Sequence, residues 1–450
     1  MNLYTSFVSK VLFPLQERLK HHTTVAVHRQ MEAAQWWPAP QLEQHRVRRL
    51  RELLSDAGTF VPYYKELFAK LGFEPASVSS MGDLTKLPFL TKALIKANTE
   101  ALKHPQAAGL ARFNTGGSSG EPLIFFIGRK RVSYDVAAKW RATRWWGVDI
   151  GDPEMVVWGS PIELGTQDRI KFIRDRLMRT ELLPAFEMSE DKLDSFVASI
   201  RRVRPRMLFG YPSALSLIAR HALKRGVAMN DLGIKVAFVT SERLYDDQRA
   251  VISSTFGCPV ANGYGGRDAG FIAHECPSGS MHITADDIIV EIINEAGEPQ
   301  PAGVAGEIVV THLSTNDFPF IRYRTGDIGV LGQKQCACGR GLPLLQEIQG
   351  RSTDFVVASN GTILHGLSLI YILRDLAGVQ SFKVVQETRL LTRVLLVTDA
   401  QFTPSAVDDI RAGFQRRLGQ DVEIQVDIVD SIAAEKSGKF RYIVSHAVSR

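Results

Sequence analysis

Asn114-Thr115-Gly116-Gly117-Ser118-Ser119-Gly120-Glu121-Pro122 runs straight into an apolar segment, residues 123–127, that reads as a strand. Three glycines and three hydroxyl residues between Thr115 and Gly120 leave the backbone free to fold back tightly. Its N–H and O–H donors then converge on one anion, which is what a triphosphate requires. The P-loop signature is absent, because Glu121 and Pro122 follow Gly120 where a Lys would stand. Taken alone the loop reads as a polar hairpin turn. What lies downstream changes that reading.

From about residue 155 strand and helix patterns alternate. Residues 155–158, Met-Val-Val-Trp, form a strand pattern that runs into Gly159-Ser160. Ser189 then caps a helix that carries Leu193, Phe196, Val197 and Ile200 on one face and stops at Pro205. Residues 207–209, a helix from Ser213, residues 236–239, a helix over Asp246–Phe256 and residues 259–261 repeat the unit. Such alternation predicts a mainly parallel sheet covered by helices. Ligands of these sheets gather at the strand C-terminal ends. Those ends are Gly159-Ser160, Gly210-Tyr211, Thr240-Ser241-Glu242 and Asn262-Gly263-Tyr264-Gly265-Gly266.

Upstream, residues 1–105 are mainly helical, with Leu50, Leu53 and Leu54 at helical spacing. Residues 132–146 form a further helix, whose Trp140, Trp145 and Trp146 read as core. Past 280 the pattern turns to hairpins: Ile288–Ile293, a turn at 295–297, then 307–311. A boundary falls at Gly350-Arg351. Beyond it come a hairpin at 355–364, a helix at 367–376, strands at 381–386 and 391–397, the helix Ser405–Leu418 and a strand at 422–429. The expected fold is α/β. A large N-terminal domain, residues 1–350, holds helix-covered, mainly parallel sheets plus an antiparallel subdomain. A small α+β C-terminal domain, residues 351–450, follows; its mobility is what the family resemblance described below implies.

Composition narrows the function classes. A chain of 450 residues with 45% hydrophobic and 23% charged residues is too long for one simple core and is neither disordered nor a membrane bundle. The net charge of +6 comes without Lys/Arg blocks interleaved with aromatics, so nucleic acid is not an expected partner. Polyanionic small molecules account for the excess as well as a mildly basic surface does. Four cysteines make no disulfide framework and point to a reducing, cytoplasmic setting. Near the start, Phe7-Val8-Ser9-Lys10-Val11-Leu12-Phe13 is too short and too charged for a signal segment. A helix packed on its own domain is the expectation there, with peripheral membrane contact at most.

Five short motifs follow one another: the Gly/Ser loop, Tyr264-Gly265-Gly266-Arg267-Asp268 after a strand, Tyr323-Arg324-Thr325-Gly326-Asp327, Gly350-Arg351-Ser352-Thr353-Asp354, and Ser437-Gly438-Lys439-Phe440-Arg441. This ordered set resembles the adenylate-forming ligase superfamily of acyl- and aryl-CoA synthetases, amino-acid-activating modules and luciferases. Within it the chain resembles the phenylacetate-CoA ligase group, and in particular its CapK-like capsule-biosynthesis branch. Val61-Pro62-Tyr63-Tyr64, Leu87-Pro88-Phe89-Leu90-Thr91-Lys92 and the run from Tyr264 to Cys276 carry the same resemblance.

The resemblance implies that a small-molecule carboxylic acid attacks the α-phosphate of ATP, giving an acyl-adenylate and pyrophosphate. A thiol (CoA), or else an amine or hydroxyl, then accepts the acyl group. Thr115, Gly116, Gly117, Ser118, Ser119 and Gly120 would hold the β- and γ-phosphates, and Tyr264 and Gly265 would lie along the adenine. Glu242 joins them as a nucleotide contact at a strand end. Asp268 stands where the family usually has a Mg2+-binding Glu; one methylene shorter, it could reach the metal through water. Arg267 replaces a Thr, with an ion pair to Asp268 or Glu275 as its plain structural role. Asp327 would accept the ribose hydroxyls, Arg351 would touch the nucleotide and Asp354 would act as hinge. Lys439 would stabilise charge on the α-phosphate, with Lys436 as its competitor. An acyl pocket would draw on Trp158, Tyr211 and Ser241, whose aromatic bodies suit an aryl or medium apolar acid.

Cys276-x5-His282 and Cys336-x-Cys338 suggest a Cys3His zinc site, although the one-residue gap is tight and His274 is an alternative nitrogen ligand. Unrelated buried thiols are the plainer alternative. Cys258, just before a strand, reads as core. The leading expectation is therefore an ATP-dependent ligase, monomeric or homodimeric. An amide- or ester-forming ligase without CoA, a catalytically silent scaffold of the same fold and a sugar-nucleotide enzyme are the rivals.

Overall fold

The computed structural model describes residues 3–114, 123–158, 169–185, 188, 190–351, 355–361, 363–365, 367–374, 376–432 and 442–447. The chain divides into two compact units, Met1–Thr325 with Gly329–Ile348, and Gly326–Ile328 with Gln349–Arg450.

The large unit opens with helices, the longest of them Ala39–Phe60. Leu42, Leu50, Leu53, Leu54 and Ala57 recur every three or four residues along it and are buried, an apolar stripe that fixes which face turns inward. A hairpin follows, β1 (Ala111–Asn114) and β2 (Ile124–Ile127), in register Asn114↔Ile124. The loop between them, Thr115 to Gly120 included, lies outside the described residues.

The next strands are β3 (Glu154–Trp158), β4 (Thr180–Pro184), β5 (Met207–Gly210), β6 (Val236–Thr240), β7 (Val260–Gly266), β8 (Gly270–Glu275) and β9 (Met281–Ile283). They form a seven-stranded sheet in the order β4-β3-β5-β6-β7-β8-β9. The first five run parallel, and β8 and β9 are antiparallel additions. Side chains alternate between the two faces of a strand. Met155 and Val157 therefore meet Leu193, Phe196, Ile200, Leu215 and Ile218 on one side of the sheet. Met207, Phe209, Val236 and Phe238 meet Ala142 of the helix Arg129–Arg144, and Trp146 just after it, on the other. Covered on both faces, these strands must be apolar throughout, and β6 is buried at all of its positions.

Three expectations change here. β4 was not apparent in the sequence; it sits at the sheet edge, with a polar start and Pro184 at its end, where a missing donor costs nothing. The antiparallel region begins at β8, not past residue 280. Tyr264, Gly265 and Gly266 lie within β7 and not after it. Glycines disfavour strands, but a side chain at 265 would run into the Gly270 carbonyl across the hairpin, so only glycine lets β7 and β8 pair this closely.

β10 (Ile288–Ile293), β11 (Ala305–His312), β12 (Tyr323–Leu331) and β13 (Leu345–Arg351) make a four-stranded sheet in sequential order. Among the described residues the small unit holds the hairpin β14 (Phe355–Val357) and β15 (Ile363–His365), then β16 (Val379–Thr388), β17 (Leu391–Thr398), β18 (Glu423–Ile428) and β19 (Ile443–Ser445). Its main sheet has the order β18-β17-β16-β19 and is accompanied by the helices Leu367–Arg374 and Ser405–Leu418. Buried Gln386 acts as a backbone mimic: its amide donates to the Val357 carbonyl (2.8 Å) and accepts from the Val357 N–H (2.9 Å). No described helix is long and apolar enough to cross a membrane.

Candidate active site

The parallel strands end on residues suited to a ligand. Trp158, the last residue of β3, and Tyr211, just after β5, stack with ring centroids 4.4 Å apart. Ser241, after β6, adopts a left-handed backbone (φ +71°), a conformation that costs a non-glycine residue and tends to mark a functional turn. Glu242 follows, and its carboxylate accepts the N–H of Ser213 (3.2 Å) in the first turn of the helix Pro212–Lys224. A charge there satisfies a donor the helix leaves open and complements its dipole.

The β7–β8 hairpin carries Tyr264 half-buried near the core of the large unit. At the turn, Asp268 Oδ2 accepts the hydroxyl of Tyr323 at 2.6 Å, and Oδ1 lies 3.2 Å from the Ala269 N–H. Tyr323 heads β12 and is fully buried, with its ring edge-on to Phe320 at 5.2 Å. Among the described residues, two of roughly four lone-pair positions on the carboxylate are thus taken, which leaves room for a cation or its water. Glu275 pairs with Arg249 (2.9 Å) and accepts the Asn262 N–H (2.8 Å), which pins β7 from its far side.

A buried relay of charges that sequence reading missed braces the same turn. Arg131 donates to the Arg267 carbonyl (2.5 Å) and pairs with Asp135 (3.4 Å) one helical turn on. His312 bridges Asp135 (3.5 Å) and Asp287 (3.4 Å). Asp287 in turn meets Arg49 (3.1 Å) and Ser314 (2.5 Å). Burial pushes the Asp135 carboxyl up, but the Arg131 charge and the hydrogen bond with His312 outweigh it and hold the group below its ordinary value. Gly270 (φ +80°) makes room for this, since a Cβ there would lie 2.7 Å from the His312 ring. Arg131–Asp135 spacing and a His at the end of β11 were the only traces in the sequence.

The thiols also come together. Ligand atoms of Cys276, His282, Cys336 and Cys338 all lie within 4.8 Å of one another. Cys276 Sγ is 3.6 Å from Cys336 Sγ, and Cys338 Sγ is 3.2 Å from His282 Nε2. His282 Nδ1 faces the Leu342 carbonyl at 3.2 Å, which fixes the tautomer and aims the Nε2 lone pair at the thiols. Burial drops the His282 imidazole to about 4, so it is neutral as a ligand must be. The Cys336 thiol is drawn down despite burial by the Ser280 hydroxyl and the Cys338 N–H, while burial pushes Cys276 up to about 11. This donor set fits a tetrahedral Zn2+. His274 is not part of it; its ring lies fully buried beside Phe238 and Phe271. Cys258 is buried in the core behind β7.

Asp327 lies in β12 on Gly326–Ile328, the short piece grouped with the small unit. Arg351 ends β13, its side chain outside the described residues. Gly159, Ser160, Ser189, Asp354, Lys436 and Lys439 also lie outside the described residues.

Residues 356–446 match the CapK C-terminal domain family. Protein CapK of Staphylococcus aureus is 22% identical over 395 residues, 85% of each chain. The phenylacetate-coenzyme A ligase of Pseudomonas putida is 28% identical over 323 residues, 70% of this chain and 72% of that one. The crystal structure of 2-hydroxyisobutyryl-CoA ligase with R3-HIB-AMP superposes with a TM-score of 0.74 at 21% identity, covering 92% of this chain and 91% of that one. The chain has the fold of these ligases. In sequence it is similar to CapK and to the phenylacetate-CoA ligases.

Proposed function

We propose that this protein joins a small carboxylic acid to AMP, releasing pyrophosphate from ATP, and passes the acyl group to the thiol of CoA. The observation that carries the reading is the Tyr264–Asp268 hairpin. It places an aromatic ring and a braced carboxylate at the C-terminal end of a parallel sheet whose fold matches a CoA ligase holding an acyl-adenylate. Tyr264 and Gly265 would border the adenine, and Asp268 would hold Mg2+ directly or through water. Asp327 would take the ribose and Thr115 to Gly120 the pyrophosphate. Lys439 would stabilise the α-phosphate as charge grows on it. Residues 351–450 would act as the mobile lid and Asp354 as its hinge. A zinc ion in the Cys3His cluster would be structural, because four protein donors leave no open position for chemistry.

A specific observation favours a second reading. The CapK relative aligns over 85% of the chain, against 70% for the Pseudomonas putida ligase. An amine or hydroxyl acceptor in polysaccharide assembly would share the first half-reaction and differ only in the second.

The test is acid-dependent exchange of labelled pyrophosphate into ATP across a panel of aryl and aliphatic acids, followed by trapping with CoA or hydroxylamine. Lys439→Ala is expected to abolish exchange while ATP binding persists. Loss in Lys436→Ala instead would move the role to that lysine. Silence over the whole panel would leave a scaffold of the same fold.

A further inference from the structure

The first helical stretch runs from Leu3 to Leu19 as two α-helical pieces, Leu3–Phe7 and Phe13–Leu19, joined by a π turn, Val8–Leu12. One side packs on the large unit. Thr5, Val8, Ser9, Phe13 and Glu17 are buried, with Phe13 edge-on to Trp140 at 5.2 Å and Thr5 donating to Asp152 at 2.9 Å. The opposite side is the unusual one. Leu3, Phe7, Val11, Leu15 and Leu19, spaced every four residues, are each more than half exposed. On a regular α-helix such a ladder drifts by about 40° per step. The wider π turn takes part of that drift back and keeps the five side chains on one side.

The other exposed positions of this stretch are Tyr4, Lys10 and Arg18, and Lys20, the residue after it, is exposed too. No acid is among them. The single carboxylate, Glu17, is turned inward, where it accepts from Thr24 (2.5 Å), faces His22 (3.0 Å) and lies 3.5 Å from the Lys20 ammonium, which stays partly exposed. The patch continues onto the helix Arg169–Met178 and the residue after it. The Tyr4 hydroxyl donates to the Leu177 carbonyl (2.8 Å), Leu177 and Arg176 are exposed, and Arg179 lies 5.4 Å from the Tyr4 ring centre. Asp175 is paired with Arg174.

We infer that this face is a membrane-docking surface that lies on an anionic bilayer, with Leu3, Phe7, Val11, Leu15 and Leu19 entering the headgroup boundary and Lys10, Arg18 and Lys20 meeting acidic headgroups. An apolar ridge flanked by a net excess of cations is the composition of an interfacial helix. The packed side fixes the orientation, so the ridge has no route back to the core. A second copy of the chain is the poorer occupant: a two-fold contact through this face would set each cationic row against its own image.

The test is co-sedimentation of the full chain with vesicles of phosphatidylcholine, alone and mixed with phosphatidylglycerol. Binding is expected on the mixed vesicles and should weaken as salt rises. Phe7→Ser/Val11→Ser/Leu15→Ser should lower binding by more than tenfold. Lys10→Gln/Arg18→Gln/Lys20→Gln should remove the preference for anionic vesicles, a loss of tenfold or more. Neither variant should alter pyrophosphate exchange. If the apolar variant does not fold, the charge variant alone decides. No binding to either vesicle overturns the inference, and so does binding that both variants retain. Self-association abolished by the apolar variant, without vesicle binding, overturns it in favour of a second copy.

Discussion

Replacing Tyr323 by Phe removes one oxygen and nothing else from the bracing of Asp268. The ring is fully buried and edge-on to Phe320, so Phe keeps the packing. What is lost is a 2.6 Å hydrogen bond to a carboxylate. Bonds to charged groups contribute about 1.5–3 kcal/mol. At 1.4 kcal/mol per factor of ten, kcat/KM for ATP in pyrophosphate exchange should fall by about 10- to 100-fold if that bond holds Asp268 in its working pose. The fold should lose only about 1 kcal/mol, because Asp268 is partly exposed and water can replace the hydroxyl. The assay is exchange against Mg2+ concentration beside a thermal melt. A rising Mg2+ requirement with a nearly unchanged melting temperature is the expected pair. Wild-type exchange with wild-type Mg2+ dependence would refute the assignment of Asp268 as the metal-side carboxylate.

Three further outcomes are expected. Protein purified without a His-tag should carry about one zinc per chain, and Cys338→Ser or a chelator should lower the melting temperature; a metal-free protein of equal stability would exclude the site. Asp135→Asn should cost about 3–5 kcal/mol at neutral pH by leaving Arg131 unpaired. Because the folded Asp135 carboxyl is held below its ordinary 3.8, its contribution is present above that pH and lost as pH falls through the lower folded value, so urea midpoints of the two proteins should converge only in acid. Burial pushes the Cys258 thiol up to about 12, so at pH 8 iodoacetamide should spare it until denaturant is added, and fast labelling of the native chain would contradict its place in the core.

The elements legible in the sequence are those whose signals are local. Asp246–Phe256, Ser405–Leu418 and Ile288–Ile293 fall on the bounds their periodicity predicts. β4, β8 and β19 were not legible: β4 is polar at its start, β19 is three residues long, and β8 owes its place to pairing with a glycine-rich partner. The candidate site divides in the same way. Tyr264 and Asp268 announce themselves as neighbours in one motif, whereas Tyr323 reaches Asp268 from 55 positions away. Arg131, Asp135, His312 and Asp287 come from three separate segments and share no spacing. The thiols were readable as a set, but only packing distinguishes His282 from His274, which lie opposite one another on β9 and β8.

The carboxylate that clamps β7 belongs to Glu275, and the next residue along the chain is Cys276. The indole N–H of Trp146 holds the carbonyl of Glu275 as well (3.0 Å). The thiol cluster and β7 therefore hang from one short strut. If the proposed zinc and nucleotide sites hold, stripping the cation from the thiols would slacken the strand that carries Tyr264, and zinc starvation would show first as weaker ATP binding, before any loss of fold.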